Sequence, residues 1–319
     1  PGYTLRIKTF GGFAVWRGPK LLESADWKRE KSRQLLQVLV GNWGKWMSRD
    51  QLTLVLWPDA EPATAYNNLK VTLSSLNQAL EPDRPEGARP AFVLRRGSQY
   101  MLSPNIGIIL DASRFEELCR SSDPNALESA ARLYQGRYFE NEAAEEFFIA
   151  EGQYYHEHYL QVMDQLIQGA MNAGDWEKAL NFSRTVLSRD ALWEPAYRSM
   201  MLIHHRMGNP GSVLQIFHQC QQTLNREIGS GVSAETQALL NELLGYIYPE
   251  TIDLTPHEHD ASGDPAIVVP LRLRFGDTRL SFISTITVFG TPVDVTLSEL
   301  AIETFFPADA ATSEFLRGK

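Results

Sequence analysis

Apolar and polar positions follow two different rhythms along this chain. Tyr3 to Phe10 alternates polar with apolar residues, and Phe13 to Arg17 does so again after Gly11-Gly12. With Lys20 to Leu22, these runs predict a small antiparallel sheet. From Lys31 the period changes. Leu35, Leu36 and Leu39 mark the buried side of a first helix over residues 31–40. Ser48 is suited to cap a second helix that must end at Trp57, because Pro58 cannot continue it. A longer helix is predicted from about Ala63 to Leu80, where Leu69, Leu73, Leu76 and Leu80 form one apolar stripe. Asn67, Lys70, Ser74 and Asn77 recur at the same spacing on another face, and all are able to hydrogen-bond. After the Pro/Gly-rich loop Glu81 to Pro90, Phe92 to Arg95 and Gln99 to Leu102 read as two strands around a basic tip, Arg96-Gly97-Ser98. Tandem helices, the second long and polar on one face, followed by a basic hairpin, are the plan of a winged helix-turn-helix. Taken alone, the stripe would describe any amphipathic helix and Arg95-Arg96 any solvated strand end. The order of elements is what favours the winged helix.

Asn105 to Leu110 offers one more short strand, and a domain boundary is placed near Leu110. From Asp111 to Tyr248 the pattern is almost wholly helical. A repeat of period 34 aligns Ala170 with His204, Gly174 with Gly208 and Leu180 with Leu214. A helix, a Gly-containing turn and a second helix at this period are the tetratricopeptide signature. Val213 stands where Ala179 sits in the first copy, so the second copy is degenerate. The run Phe147-Phe148 with Tyr154-Tyr155 admits two readings, partner surface or core. Pro249 to Pro265 is acidic and Pro-punctuated, a linker. In the last stretch, Val268 to Phe275 and Arg279 to Val288 form a hairpin candidate around Gly276-Asp277. A short strand and two short helices capped by Thr296 and Asp309 are expected after it. The fold class is therefore mainly α with β. A winged helix-turn-helix (1–110) leads into a tetratricopeptide-like helical domain (111–248), a linker (249–266) and a small α+β segment (267–319).

Charge sharpens this division. The 319 residues carry a formal charge of −9, but residues 1–102 hold 15 Lys+Arg against 9 Asp+Glu, or +6, and the remainder holds 15 against 30, or −15. A basic first third on an acidic body is the footprint expected of nucleic-acid contact confined to one domain. At 43% hydrophobic, the chain has enough apolar residues for two or three cores. No apolar run reaches the roughly 18 residues a membrane span requires, and no signal peptide is visible. Two distant cysteines, Cys119 and Cys220, fit a reducing cytoplasm better than a disulfide framework. The opening Pro1 is compatible with initiator removal or with a longer parent chain.

The motifs also carry a resemblance. Trp27, Lys31 to Val40 (KSRQLLQVLV), Leu56-Trp57-Pro58 and Asn67-Asn68-Leu69 resemble the OmpR-type DNA-binding domain of SARP regulators. Tyr134-Gln135-Gly136, Glu145 to Phe148, Asp190 to Tyr197 and Met207-Gly208 resemble the bacterial transcriptional activation domain that follows it in that family. The resemblance implies double-stranded promoter DNA as a partner, contact with RNA polymerase, and a homodimer on adjacent direct repeats. Tyr66, Asn67, Lys70, Ser74 and Asn77 would then face the major groove. Arg95, Arg96 and Ser98 would form the wing contact, with Lys31, Arg33, Lys45 and Arg49 holding phosphates. The sequence departs from the family at Asn77 and Gln78, where arginines are usual. Phe282 to Asp309 resembles the end of MmyB-like, PAS-like sensing regions, which implies a small-molecule ligand at that segment.

No Walker A loop, GxGxxG, GxSxG or HExxH motif occurs, so an enzyme is not expected and no cofactor is called for. His257-Glu258-His259-Asp260 lacks helical ligand spacing, and His204-His205 diverge around a helix. Two function classes remain: a DNA-binding activator, or a protein-interaction scaffold whose winged helix no longer grips DNA. Lys70, Arg95-Arg96 and the +6 domain favour the first; Asn77 and Gln78 favour the second.

Overall fold

The computed structural model describes residue 2 and residues 4–245, 271–275, 278–289 and 300–317. It divides the chain into two compact units, 1–248 and 249–319.

In the first unit, β1 (Leu5–Lys8) pairs antiparallel with β2 (Ala14–Arg17), which pairs with β3 (Lys20–Leu21). A short α1 (Ser24–Trp27) precedes α2 (Glu30–Gly41), the helix expected at 31–40. Next come β4 (Met47–Ser48), α3 (Arg49–Leu56) and α4 (Pro62–Leu80). Ser48 caps α3 as expected: its hydroxyl accepts from the Gln51 amide, and the Gln51 side chain accepts from the Ser48 amide. Pro62 opens α4, where its missing N–H removes nothing. The α4 stripe is core, with Leu69, Leu73, Leu76 and Leu80 buried against Leu35, Leu36, Leu39 and Leu52.

The wing is a hairpin of β5 (Val93–Arg96) and β6 (Gln99–Leu102), with Arg96 opposite Gln99 and Gly97-Ser98 at the tip. β6 also pairs with β4. The cap of α3 is thus a strand residue of the wing's own sheet, and the Arg49 amide donates to the Ser98 carbonyl at 2.8 Å. Finally β7 (Ile108–Leu110) returns to lie parallel to β1, completing a sheet ordered β3-β2-β1-β7.

β7 runs straight into α5 (Asp111–Cys119), then α6 (Pro124–Leu133), a 3-10 turn at Glu145–Phe147 and the long α7 (Ile149–Asn172). The core does not stop near Leu110. Phe10 is fully buried within 5.1–5.3 Å of the rings of Phe115, Tyr134 and Tyr155. Asp111 accepts from the Thr9 amide and hydroxyl and from the Phe10 amide. The Phe139 amide donates to the Thr9 carbonyl and the Gly11 amide to the Arg137 carbonyl. The aromatic run splits between the two readings offered for it. Phe148 and Tyr155 are core, while Phe147 and Tyr154 are 51% and 45% exposed.

The repeat is real in three dimensions. α8 (Trp176–Leu187), α9 (Glu194–Arg206), α10 (Pro210–Ile228) and α11 (Ala234–Leu243) follow α7. The same C-terminal cap closes α7 and α9, 34 positions apart. Gly174 and Gly208 take φ of 74° and 72°, Asp175 donates to Ala170 and Asn209 to His204, each at 2.9 Å. These are Schellman caps, whose left-handed residue a glycine adopts without strain. Ala179 and Val213 are both fully buried, but Leu214 is 39% exposed where Leu180 is core.

In the second unit, β8 (Leu271–Phe275) and β9 (Thr278–Phe289) flank Gly276-Asp277 as an antiparallel pair, as expected. The next expectation fails. Leu300–Pro307 is a third strand, β10, antiparallel to β9, rather than the first of two helices. Its Ile, Thr and Phe residues favour a pleated surface, and β9 offers a free edge for it. Asp309 does cap α12 (Ala310–Leu316), accepting from the Thr312 amide. Thr296, the linker 249–266 and the His257 to Asp260 cluster lie outside the described residues.

Candidate nucleic-acid interface

The predicted site residues divide by what they touch. On α4, Asn67, Lys70 and Ser74 are exposed, because the 3–4 spacing that buries Leu69 and Leu73 turns them to the other side. Asn77 is half-buried, with its amide oxygen enclosed and no donor reaching it among the described residues. Tyr66 sits where α4 meets α3. The Arg49 guanidinium lies 3.7 Å from its ring centroid, and its hydroxyl donates to Asp50 at 2.5 Å, a bond that raises the phenol above its ordinary value. Arg49 and Tyr66 thus brace each other at the start of α3.

On the wing, Arg95, Arg96 and Ser98 are exposed. Arg95 donates to the Gly97 carbonyl and Arg96 to the Gln99 side chain, and the Arg96 guanidinium rests 4.7 Å from the Trp46 ring. Lys45 is exposed beside this hairpin's Trp46 support.

Two of the expected phosphate contacts, Lys31 and Arg33, also bond inside the protein. Lys31 gives its ammonium to the Leu56 carbonyl at 2.7 Å, closing the C-terminus of α3. Arg33 forms a two-pronged pair with Glu142, at 2.5 and 2.6 Å, and a further bond to the Phe13 carbonyl. Glu142 holds Arg33 above its ordinary pKa and also accepts from Gln37. Such a fork fixes the guanidinium's geometry against the protein.

Other cations take their place. A groove of 540 Å³ runs along α4, lined by Lys28, Arg29, Lys70, Val71, Ser74 and Gln78. Lys28, at φ 58°, donates to the Gln78 side chain at 2.7 Å. The turn between α1 and α2 thus places two cations beside position 78. Nothing in the sequence pattern singles out Lys28 and Arg29. Their proximity to Gln78 spans 50 positions. Exposed Val71 supplies an apolar contact between the polar positions.

The helical region is matched by a family model for the bacterial transcriptional activator domain over residues 110–244. This part of the chain is similar to that family. The match begins at the last residue of β7, where sheet gives way to helix. A structure of Mycobacterium tuberculosis EmbR in complex with a low-affinity phosphopeptide has a similar fold, at TM-score 0.60 and 16% identity. That likeness covers 76% of this chain and 66% of that one. A search of curated proteins finds no match. A winged helix followed by an activator domain is the SARP-type architecture that the motifs suggested. Among the described residues, no helix is long and apolar enough to cross a membrane, and no three acidic, His or Cys side chains group as metal ligands.

Proposed function

We propose that the chain is a sequence-specific DNA-binding transcriptional activator. In this reading, α4 enters the major groove of promoter repeats and the wing touches backbone or minor groove. Two copies occupy adjacent repeats, and the activator domain contacts RNA polymerase. The observation that carries the proposal is the two-sidedness of α4. One face is core, while Asn67, Lys70 and Ser74 remain exposed between the cations of the 28–29 turn and those of the wing. Asn67 suits adenine edges, and Lys70 suits guanine edges or phosphate. Lys28, Arg29, Lys45, Arg95 and Arg96 serve as phosphate contacts; Lys31 and Arg33 are left out of the set.

A salt titration of duplex binding tests this. Each phosphate contact contributes about 0.9 to the slope of log affinity against log salt. Lys28→Ala with Arg29→Ala, and separately Arg95→Ala with Arg96→Ala, should weaken binding to all sequences and flatten that slope. Lys70→Ala should weaken the preferred site more than random duplex. A parent protein whose weak binding shows no salt dependence would turn the reading to the second class, a scaffold that uses the same face for protein.

A further inference from the structure

The sheet ordered β3-β2-β1-β7 buries Leu5, Ile7, Val15 and Leu110 on one face. Side chains alternate along a strand, and residues paired across strands share a face. Register therefore sets Leu21, Trp16, Arg6 and Ile109 in one row on the opposite face, one from each strand. Three strand spacings of about 4.8 Å make this row about 14 Å long. Leu21 is 44% exposed, Ile109 is 56% exposed and Trp16 is half-buried. A groove of 500 Å³ runs along the row, with Lys8 beside it and Arg114, Leu133 and Gln135 completing its walls. Two of its cations are unpaired. Asp111, the carboxylate on the lining, accepts from the Thr9 amide and hydroxyl and from the Phe10 amide. Arg114 pairs with Glu117 at 2.5 Å. Arg6 and Lys8 have no ion-pair partner among the described residues. The Arg6 guanidinium instead rests 4.2 Å from the Trp16 ring centroid, which restricts it without using its donors.

Single exposed apolar residues need no explanation, but a contiguous row of them marks an interaction surface. Trp and Arg at its centre are the residue types that dominate protein–protein binding energy. We infer that this face docks an acidic segment of a partner protein. Bulky apolar side chains of that segment seat against Trp16, Ile109 and Leu133, and its carboxylates meet Arg6 and Lys8. Charge complementarity chooses the partner: the free charge of the groove is positive, and apolar neighbours strengthen each pair by excluding water. Duplex DNA suits the face less, since phosphates would leave Leu21 and Ile109 uncovered. None of these residues belongs to the set assigned to DNA, so the inference stands apart from that reading.

Two synthetic peptides provide the test: one interleaves Glu and Asp with Leu and Phe, and the other replaces every carboxylate by its amide. Each is titrated into the full chain by calorimetry. The acidic peptide should bind at least about tenfold tighter than its amide counterpart, and the gap should narrow as salt rises. Arg6→Gln with Lys8→Gln should bring the two affinities within about twofold, because the charges that discriminate are gone. Ile109→Asp should abolish binding of the acidic peptide and leave duplex affinity as in the parent. All three positions are on the surface side of the sheet, so these variants keep the core intact. No binding of the acidic peptide up to about 1 mM, equal affinities for the two peptides, or binding that survives Ile109→Asp would each overturn the assignment. Loss of duplex affinity in the Arg6→Gln, Lys8→Gln variant, without loss of peptide discrimination, would also overturn it and make the face a phosphate contact.

Discussion

Arg33 and Arg96 are the same side chain in the same winged helix, yet they do opposite work. Arg33 lies where the winged helix meets the helical region, gripped by Glu142 and the Phe13 carbonyl, with its guanidinium 5.3 Å from the Phe13 ring. Arg96 lies on the wing, supported by Trp46 but open to solvent. At the first place, charge is largely buried, paired with a carboxylate and structural. At the second it is hydrated, loosely held and available. Net charge alone cannot tell these apart. The +6 of the first hundred residues counts both kinds, whereas only the second can release counterions from DNA.

Substitutions should expose this contrast, in descending order of effect. Arg33→Ala strands Glu142, which is only 15% exposed, and should cost about 3 kcal/mol by urea unfolding. A folded fraction of that variant should keep the parent's salt slope. Gly41→Ala places a Cβ into the Phe148 ring at the same junction and should cost about 1–3 kcal/mol. Ser48→Ala removes the cap of α3 and should cost about 1 kcal/mol, read as a lower denaturant midpoint with unchanged m-value. Lys70→Ala should leave stability within about 0.5 kcal/mol while reducing affinity for the preferred duplex. If Arg33→Ala flattened the salt slope and Arg96→Ala unfolded the protein, the division drawn here would be reversed.

One pH effect belongs to the helical region. The hydrogen bond from His156 holds the Asp190 carboxyl below its ordinary value. A carboxylate depressed in the folded state stabilises above its unfolded pKa, about 3.9, and that contribution disappears as pH falls through the folded value. Asp190→Asn should therefore destabilise at pH 6 and have a smaller effect near pH 3, seen as converging urea midpoints.

What the sequence made legible was local. The α4 stripe, the Ser48 cap, the stop at Pro58 and the 34-residue cap repeat each depend on residues within a few turns of one another, and all are found. The junction was not legible. Phe10 meets Phe115 and Tyr134 across more than a hundred positions, and such contacts leave no periodic trace. For the same reason Arg33 read as a surface cation: its partner is 109 positions away. Lys28 and Arg29 went unnoticed because their role comes from packing beside α4. The strand at Leu300–Pro307 was read as helix because its apolar residues fit both periods, and pairing with β9 decides between them.

β7 passes into α5 without an intervening residue: Leu110 ends one and Asp111 begins the other. Nothing here can act as a swivel. Cutting the chain at that peptide bond would strip Phe10 of its aromatic surroundings and Thr9 of the carboxylate that binds it. The severed N-terminal piece would then tend to clump through its newly bared rings. In the intact chain, Tyr155 of the long α7 packs directly on Phe10, two residues past the first strand, so the two ends of this joint share one aromatic seat.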